Sequence, residues 1–209
     1  MSAPWPKLKC GLVAILRGLT PDEAVAVASA VHEAGIEAIE VPLNSPEPFR
    51  SIEAIAKALP NGLVGAGTVL AAAEVDALNR AGGKLLVSPN VDPSVLKRAG
   101  EYGMVTMPGV FTPTEAFLAL KSGASALKFF PASALGASGI NAIRAVLPKE
   151  TVIGAVGGIS DADFSTYKAA GVTAFGLGSS LYKPGQSEQE TGRKAVAAVA
   201  EYRRVFGEE

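Results

Sequence analysis

Histidine and cysteine are almost absent from this sequence, with one residue of each among 209. A His/Cys metal cluster is therefore excluded, a Cys–His catalytic pair is not predicted, and neither a metal nor a cofactor is predicted. The single cysteine, Cys10, cannot form an internal disulfide, which agrees with a reducing compartment. His32 precedes a glycine turn at the end of a predicted helix, so we interpret it as structural. Catalysis must then depend on carboxylates, lysines, hydroxyls or backbone amides.

An excess of charge of either sign is also missing, because 19 basic and 20 acidic side chains give a formal net charge of −1. No long basic run offers an electrostatic surface for nucleic acid or anionic lipid, so neither partner is predicted. No segment reaches about 18 apolar residues free of charges and helix breakers, and the first residues lack the apolar stretch of a signal peptide. We therefore expect a cytoplasmic protein.

What the chain does contain is a weak internal repeat, in which a small residue and a glycine precede an apolar run. The glycines are spaced to fit a unit of about 20 to 24 residues, and each unit is typical of a helix, a C-terminal glycine and a strand. Because these runs are continuously apolar, they indicate parallel strands covered by helices. Eight strands are predicted: Leu12–Leu16, Ala38–Val41, Leu63–Ala66, Leu85–Val87, Met104–Met107, Ser125–Lys128, Val152–Val156 and Thr173–Leu177.

Helices are predicted between these strands, and several of them begin with a recognisable capping sequence. Thr20-Pro21-Asp22-Glu23 and Thr112-Pro113-Thr114-Glu115 both place a cap, a proline and a glutamate in the expected order. Residues 1–209 are therefore predicted to form a single α/β domain, a (β/α)8 TIM barrel. A doubly wound sheet is the alternative. Only residues 1–8 and the acidic C-terminal end are expected to be peripheral.

If the chain is a barrel, polar and glycine residues just past the strands converge on one mouth, where barrel enzymes have their active sites. These residues come from all but one of the predicted strands. The candidate site residues are Arg17, Glu40, Asn44, Thr68, Pro89, Lys128, Gly157, Gly158, Gly178 and Ser179.

Lys128 ends an apolar run, and Glu40 lies inside another, so both charges are predicted to be buried. Burial lowers the pKa of a lysine, and the neutral amine is a nucleophile toward carbonyls. The two strands lie across the barrel from each other, so Glu40 could move protons on a ligand bound to Lys128. Arg17 could hold a substrate carboxylate with two hydrogen bonds. The alternative is a buried salt bridge from Glu40 to Lys128 or Arg17.

The glycines after the last two strands predict a phosphate site. Gly157-Gly158 and Gly178-Ser179 would let backbone N–H groups approach an anion closely. The loops after the seventh and eighth strands are the usual phosphate site of barrels, often with a helix N-terminus nearby. A phosphorylated small molecule is therefore the expected substrate, although glycines of this kind often serve only turns.

Several of these segments together resemble a known family, the 2-keto-3-deoxy-6-phosphogluconate and phosphogalactonate aldolases, which are class I enzymes on a (β/α)8 barrel. The resemblance runs from Leu12 to about Gly185. It implies that Lys128 forms the Schiff base, that Glu40 is the general acid and base, and that Arg17 and Thr68 bind the pyruvate end. The two glycine loops would hold the phosphate. The motifs are Ala14-Ile15-Leu16-Arg17-Gly18, Glu40-Val41-Pro42-Leu43-Asn44-Ser45-Pro46, Gly65-Ala66-Gly67-Thr68-Val69-Leu70, Ser88-Pro89-Asn90, Leu127-Lys128-Phe129-Phe130-Pro131 and Gly157-Gly158-Ile159-Ser160.

Two departures place the sequence nearer to the phosphogalactonate branch. The gluconate branch usually has Arg-Thr where Asn44-Ser45 stand here, and a threonine in place of Val156. The implied reaction is cleavage of 2-dehydro-3-deoxy-6-phospho-D-galactonate to pyruvate and D-glyceraldehyde 3-phosphate, with the C4 epimer as alternative substrate. The resemblance also implies a homotrimer. A phosphosugar isomerase or epimerase, and a phosphosugar-binding protein without activity, are the other function classes that share barrel and phosphate loops.

Overall fold

The computed structural model describes residues 2–207 and contains nine strands, which all pair in parallel. The sheet order is β5-β4-β3-β2-β1-β9-β8-β7-β6. Its two end strands, β5 and β6, are consecutive in sequence, so the sheet curls round into a barrel. The strands are β1 Leu12–Ile15, β2 Ala38–Pro42, β3 Leu63–Gly67, β4 Leu85–Val87, β5 Val105–Met107, β6 Gly109–Val110, β7 Leu127–Phe129, β8 Ile153–Val156 and β9 Ala174–Leu177.

The two shortest neighbours, β5 and β6, occupy one strand position of the barrel. Pro108 separates them, and it has no N–H group to donate to a ladder. β5 pairs with β4, whereas β6 pairs with β7. The Pro108 carbonyl still accepts the Lys128 N–H at 2.9 Å, which closes the ring of strands. The predicted barrel is confirmed and the doubly wound sheet is wrong, but the fifth predicted strand omitted β6.

Eight helices follow the strand positions in the described part of the chain. The Thr20 N–H donates to the Glu23 carboxylate at 3.0 Å, and the Thr112 N–H donates to Glu115 at 2.8 Å, so both predicted caps are confirmed. The helices are α1 Pro21–Glu33, α2 Pro48–Ala58, α3 Ala72–Arg80, α4 Pro93–Glu101, α5 Pro113–Lys121, α6 Ala132–Arg144, α7 Phe164–Ala169 and α8 Glu188–Phe206. Among residues 2–207, none of these helices has the length and hydrophobicity needed to cross a membrane.

Side chains alternate along the strands between two apolar layers. One layer lies between strands and helices and includes Phe129, Phe164 and Phe175. The other is a smaller cluster that fills the barrel interior, with Val13, Leu85 and similar residues. Because successive strand residues face opposite sides, every second position of a strand belongs to the interior.

The N-terminal segment belongs to the barrel rather than to its periphery. Ala3 forms a parallel bridge with Val105, and Ala3, Trp5 and Leu8 pack against the interior cluster. The expectation that residues 1–8 are peripheral is therefore wrong for Ala3, Trp5 and Leu8, because their side chains cover the end of the interior that the strands leave open, whereas Pro4 and Lys7 are exposed. Met1 and the final residues, Glu208 and Glu209, lie outside the described residues.

Candidate active site

Strand alternation directs Glu40 and Lys128 into the barrel interior. Ala38 and Ala126 belong to the interior cluster, and Glu40 and Lys128 each come two residues later, on the same face. Both side chains are buried, with exposed fractions of 2% for Glu40 and 7% for Lys128. The sequence had placed Lys128 at the end of its strand, whereas it is the central residue of β7. The predicted burial of both charges is nevertheless confirmed.

The two buried charges face each other without forming an ion pair. Within residues 2–207, neither Glu40 nor Lys128 belongs to a salt bridge, and the Oε2 atom of Glu40 has no hydrogen-bond partner. The salt bridge that was the structural alternative is therefore not formed. An unpaired buried carboxylate is costly, and strongly perturbed groups of this kind cluster at functional sites.

Burial raises the pKa of Glu40 and lowers that of Lys128, which favours the uncharged form of each group. Desolvation raises the pKa of Glu40 from 4.5 to about 7, against the opposing charges of Lys128 and Arg17. Desolvation lowers the pKa of Lys128, Glu40 opposes that change, and the positive charge of Arg17 adds to it. The lysine therefore reaches its neutral, nucleophilic form at a lower pH, and the carboxyl can both accept and donate a proton near neutrality.

Gly67 provides the space that the Glu40 carboxylate occupies. A Cβ atom on Gly67 would lie 2.0 Å from Oε2 and 2.4 Å from both Oε1 and Cδ of Glu40. Contacts this short do not occur, so any larger residue at position 67 must displace the carboxylate. Glycine weakens a strand, yet Gly67 is the last residue of β3, where its missing side chain leaves space for the carboxylate of Glu40. This relation could not be seen from the sequence, although Gly67 lies in one of the recognised motifs.

If Glu40 transfers protons as the sequence predicts, Gly67→Ala is expected to lower turnover by about 10²-fold, because misplacing a reacting group by about 1 Å has an effect of that size. The measurement is kcat on the cleavable substrate, with thermal unfolding as a check on folding. Gly103→Ala is the matched control, since a Cβ there meets nothing within 4 Å and its strain is only that of a positive φ angle. Near-normal turnover of Gly67→Ala would contradict the assigned position of Glu40.

The loops after β1 and β2 are joined by two side chains from the second loop. Arg17 is exposed at the end of β1, and its Nη1 atom donates to Asn44 Oδ1 at 2.5 Å. The Gly18 N–H donates to the hydroxyl of Ser45, which is buried, at 2.9 Å. The guanidinium is therefore held at the mouth, where its charge acts on both Glu40 and Lys128. Asn44 reaches the predicted site, with its carbonyl oxygen engaged by Arg17.

Thr68 and Pro89 lie at the ends of the next two strands. Thr68 follows Gly67 and has a φ of 57°, which is rare for a residue with a β-branched side chain. Backbone conformations of this kind cluster at active sites. The Pro89 carbonyl lies so close to Gly109 that a Cβ there would approach it to 2.2 Å, and Gly109 is the partner of Lys128 in the sheet register. Both residues are half-buried.

The glycine loops after β8 and β9 lie beside each other at the same mouth. The Ser180 hydroxyl donates to the Ile159 carbonyl at 3.0 Å and so joins the two loops. Gly157 and Gly158 have φ angles of 92° and 73°, in the left-handed region that favours glycine. In contrast, nothing lies within 4 Å of a Cβ placed on Gly178. The fold itself therefore does not demand glycine at 178, whereas a ligand approaching the backbone would.

Several backbone N–H groups of these two loops have no backbone acceptor. Among residues 2–207, the N–H groups of Gly158, Gly178 and Ser179 donate to no backbone carbonyl. The contribution of a helix N-terminus is smaller than the sequence suggested, because Asp161–Asp163 forms a 3₁₀ turn and α7 has six residues. The backbone amides would therefore be the principal donors to any anion bound at these loops.

Two residues near this site were not identified from the sequence. The Lys128 Nζ atom lies over the ring of Phe130, 4.6 Å from its centroid. Ser133 donates its N–H to the Gly157 carbonyl at 3.1 Å, and its side chain borders Gly158. Phe130 was part of a recognised motif, but only the folded chain shows that its ring meets the amine.

Cys10 and His32 do not belong to the group of candidate site residues at the mouth. Cys10 is buried and its Sγ atom donates to the Gly35 carbonyl at 3.2 Å, while His32 lies in the last turn of α1. These positions agree with the structural interpretation. Within the described residues, no three His, Cys, Asp or Glu side chains lie close enough together to hold a metal ion.

Comparisons with known proteins identify the family of this chain. The family model described as KDPG and KHG aldolase matches residues 7–197. A protein named probable 2-dehydro-3-deoxy-6-phosphogalactonate aldolase from Rhizobium meliloti (strain 1021) is 58% identical over 98% of this chain and 97% of its own length. The 2-dehydro-3-deoxy-6-phosphogalactonate aldolase of Escherichia coli (strain K12) is 50% identical over 93% of this chain and 96% of its own.

A solved structure described as native KDPGal is similar over nearly its whole length. It has a TM-score of 0.95 and 48% sequence identity, and the match covers 98% of this chain and 99% of the other. The sequence resemblance, the barrel and the matched family model therefore agree. The chain belongs to the KDPG and KHG aldolase family.

Proposed function

We propose that this protein is a class I aldolase, a lyase that cleaves 2-dehydro-3-deoxy-6-phospho-D-galactonate to pyruvate and D-glyceraldehyde 3-phosphate in galactonate catabolism. The observation that carries the proposal is the buried, unpaired Lys128 facing the unpaired carboxyl of Glu40 inside the barrel. The names of the two curated relatives support the choice of substrate. Trapping of a pyruvate adduct on Lys128 tests the proposal, and it separates an aldolase from an isomerase of similar fold.

The proposed chemistry begins with attack of the neutral Lys128 amine on the C2 ketone. Loss of water from the resulting carbinolamine gives a protonated imine, which withdraws electrons from the C3–C4 bond. Glu40 removes the proton of the C4 hydroxyl, the C3–C4 bond breaks, and the aldehyde leaves. The electron pair of the broken C3–C4 bond remains on the lysine-bound product, which becomes an enamine. Protonation at C3 and hydrolysis then release pyruvate and restore the amine.

We assign the remaining site residues to the two ends of the substrate. Arg17 binds the pyruvate carboxylate as a planar, permanently charged donor, and Asn44 fixes its orientation through the 2.5 Å hydrogen bond. Thr68 and Pro89 line the pyruvate end. Gly157, Gly158, Gly178 and Ser179 surround the phosphate with their backbone amides.

We expect Ser179→Asp to raise KM for the phosphorylated substrate by about 10- to 100-fold, because the new carboxylate repels the phosphate. Ser179 is exposed, so the substitution should not disturb folding. Exchange of the pyruvate methyl protons uses only the Lys128 and Glu40 end, so its rate should be unchanged. Ser179→Asn, which has the same shape and no charge, is the control. Equal loss of both activities would contradict a separate phosphate site.

Selectivity between the C4 epimers is proposed to involve Val156. This side chain is buried, and it faces the barrel interior from the last position of β8, directly before the glycine loop. A valine cannot hydrogen-bond a substrate hydroxyl, whereas threonine of nearly the same shape can. We expect wild-type kcat/KM to be higher for the galactonate epimer, with Val156→Thr shifting the ratio toward the gluconate epimer. Equal rates on both purified epimers would contradict this choice.

We propose that the chain assembles as a homotrimer. Support comes from an apolar surface on and beside α5, where the exposed fractions are 39% for Phe111, 47% for Phe117 and 39% for Leu118. Exposed aromatic residues in a cluster are typical of protein interfaces. Sedimentation equilibrium measures the mass directly. Phe117→Glu is expected to shift the population toward monomers if this surface is the interface.

A further inference from the structure

The aromatic ring of Phe130 is the direct electrostatic partner of the lysine that the proposed function makes the nucleophile. The Lys128 Nζ atom lies 4.6 Å from the ring centroid, over its face. Within residues 2–207, the same atom has no hydrogen bond to the protein and no ion pair, although the charges of Glu40 and Arg17 act on it. The ring face is therefore a close neighbour of any charge that forms on this nitrogen.

The position of the ring is fixed by the backbone around it. The Phe130 N–H donates to the Val110 carbonyl at 3.1 Å, which attaches the residue to β6. A Cβ on Gly157 would approach two ring carbons to 3.0 and 3.1 Å. Even a methyl group at 157 would therefore crowd the ring. The glycine that opens the β8 loop thus also lets the phenyl group lie beside the lysine.

The charge on the Lys128 nitrogen changes during the proposed reaction. A neutral amine, a carbonyl and a proton combine to give an iminium cation and water, so the nitrogen gains a positive charge at that step. An aromatic face attracts a cation and has no comparable attraction for a neutral amine, and the attraction is stronger in a desolvated site. We propose that the Phe130 ring stabilises the iminium cation on Lys128 and so favours imine formation, an inference that rests on the proposed function.

Fluorinated phenylalanines at position 130 test this role, because each fluorine withdraws electrons from the ring face with little change of shape. The measurement is the pyruvate concentration that gives half-maximal borohydride trapping. It is made at alkaline pH, where the Lys128 amine of the free protein is neutral. That concentration is expected to rise stepwise from one to three fluorines, by about 2- to 30-fold in total. Glu40 and Arg17, the charged groups that act on Lys128, stay unchanged in the series.

Phe206, the last residue of α8, is the matched control, because a lysine also lies over its ring. The Lys168 Nζ atom is 5.0 Å from the ring centroid. The same fluorinated residues at 206 are expected to leave pyruvate trapping unchanged. A flat series at 130, or a loss that is complete at the first fluorine, would overturn the role of Phe130 while wild-type trapping still supported the aldolase. Absence of any adduct in the wild type would overturn both proposals.

Discussion

Incubation with pyruvate and borohydride is expected to add a reduced pyruvate adduct to Lys128 and to inactivate the enzyme. Only an imine is fixed by this reagent, and the imine requires a neutral amine. Burial lowers the pKa of Lys128, so its neutral, nucleophilic form is reached at a lower pH than in a free lysine. Peptide mapping by mass spectrometry locates the adduct.

Lys128→Met keeps the length of the side chain and removes the amine, so cleavage is expected to fall by about 10⁴-fold or more. Lys121→Met is the control, because Lys121 is exposed on α5 and its loss should change neither trapping nor turnover. Mass on another lysine, or substantial activity in Lys128→Met, would show that the imine forms elsewhere or not at all.

Much of this site could be predicted from the sequence, because a continuous apolar run indicates that the side chains within it are buried. Glu40 interrupts an apolar strand, and a carboxylate in that position is either paired or functional. In the structure the Oε2 atom has no hydrogen-bond partner, which supports the second possibility. The barrel was predictable for a similar reason, since continuous apolar runs alternating with capped helices favour parallel strands.

What the sequence did not reveal depends on contacts between distant segments. The carboxylate of Glu40 on β2 lies against Gly67 on β3. Phe130 is only two residues from Lys128, but β6 and the Gly157 loop hold its ring beside the amine. The N-terminal segment was misjudged because Ala3, Trp5 and Leu8 show no strand or helix period. Their burial arises from the open end of the barrel, which is a property of the whole ring of strands.

Glu40→Gln is expected to lower turnover by about 10²- to 10⁴-fold, the usual contribution of a general acid and base. The amide keeps the shape of the side chain, but it cannot accept the C4 hydroxyl proton. In the wild type, Glu40 has a pKa of about 7, so the exchange of pyruvate methyl protons should decline as pH falls below that value. Residual exchange in the Gln variant should not show this decline. Steady-state kinetics and exchange rates across pH measure both effects.

The same substitution should have the opposite effect on stability, and the pH dependence distinguishes a catalytic from a structural carboxylate. The folded-state pKa of Glu40, about 7, lies above its usual 4.5, so the folded protein binds this proton more tightly than the unfolded chain. Stability is therefore lost as pH rises between these values, by on the order of 3 kcal/mol above pH 7. Glutamine carries no charge and avoids that loss, so the free energy of unfolding of Glu40→Gln should exceed that of the wild type at alkaline pH and lose this advantage in acid. A variant that was less stable at every pH, with near-normal turnover, would mean that the carboxylate serves the fold and that the catalytic base lies elsewhere.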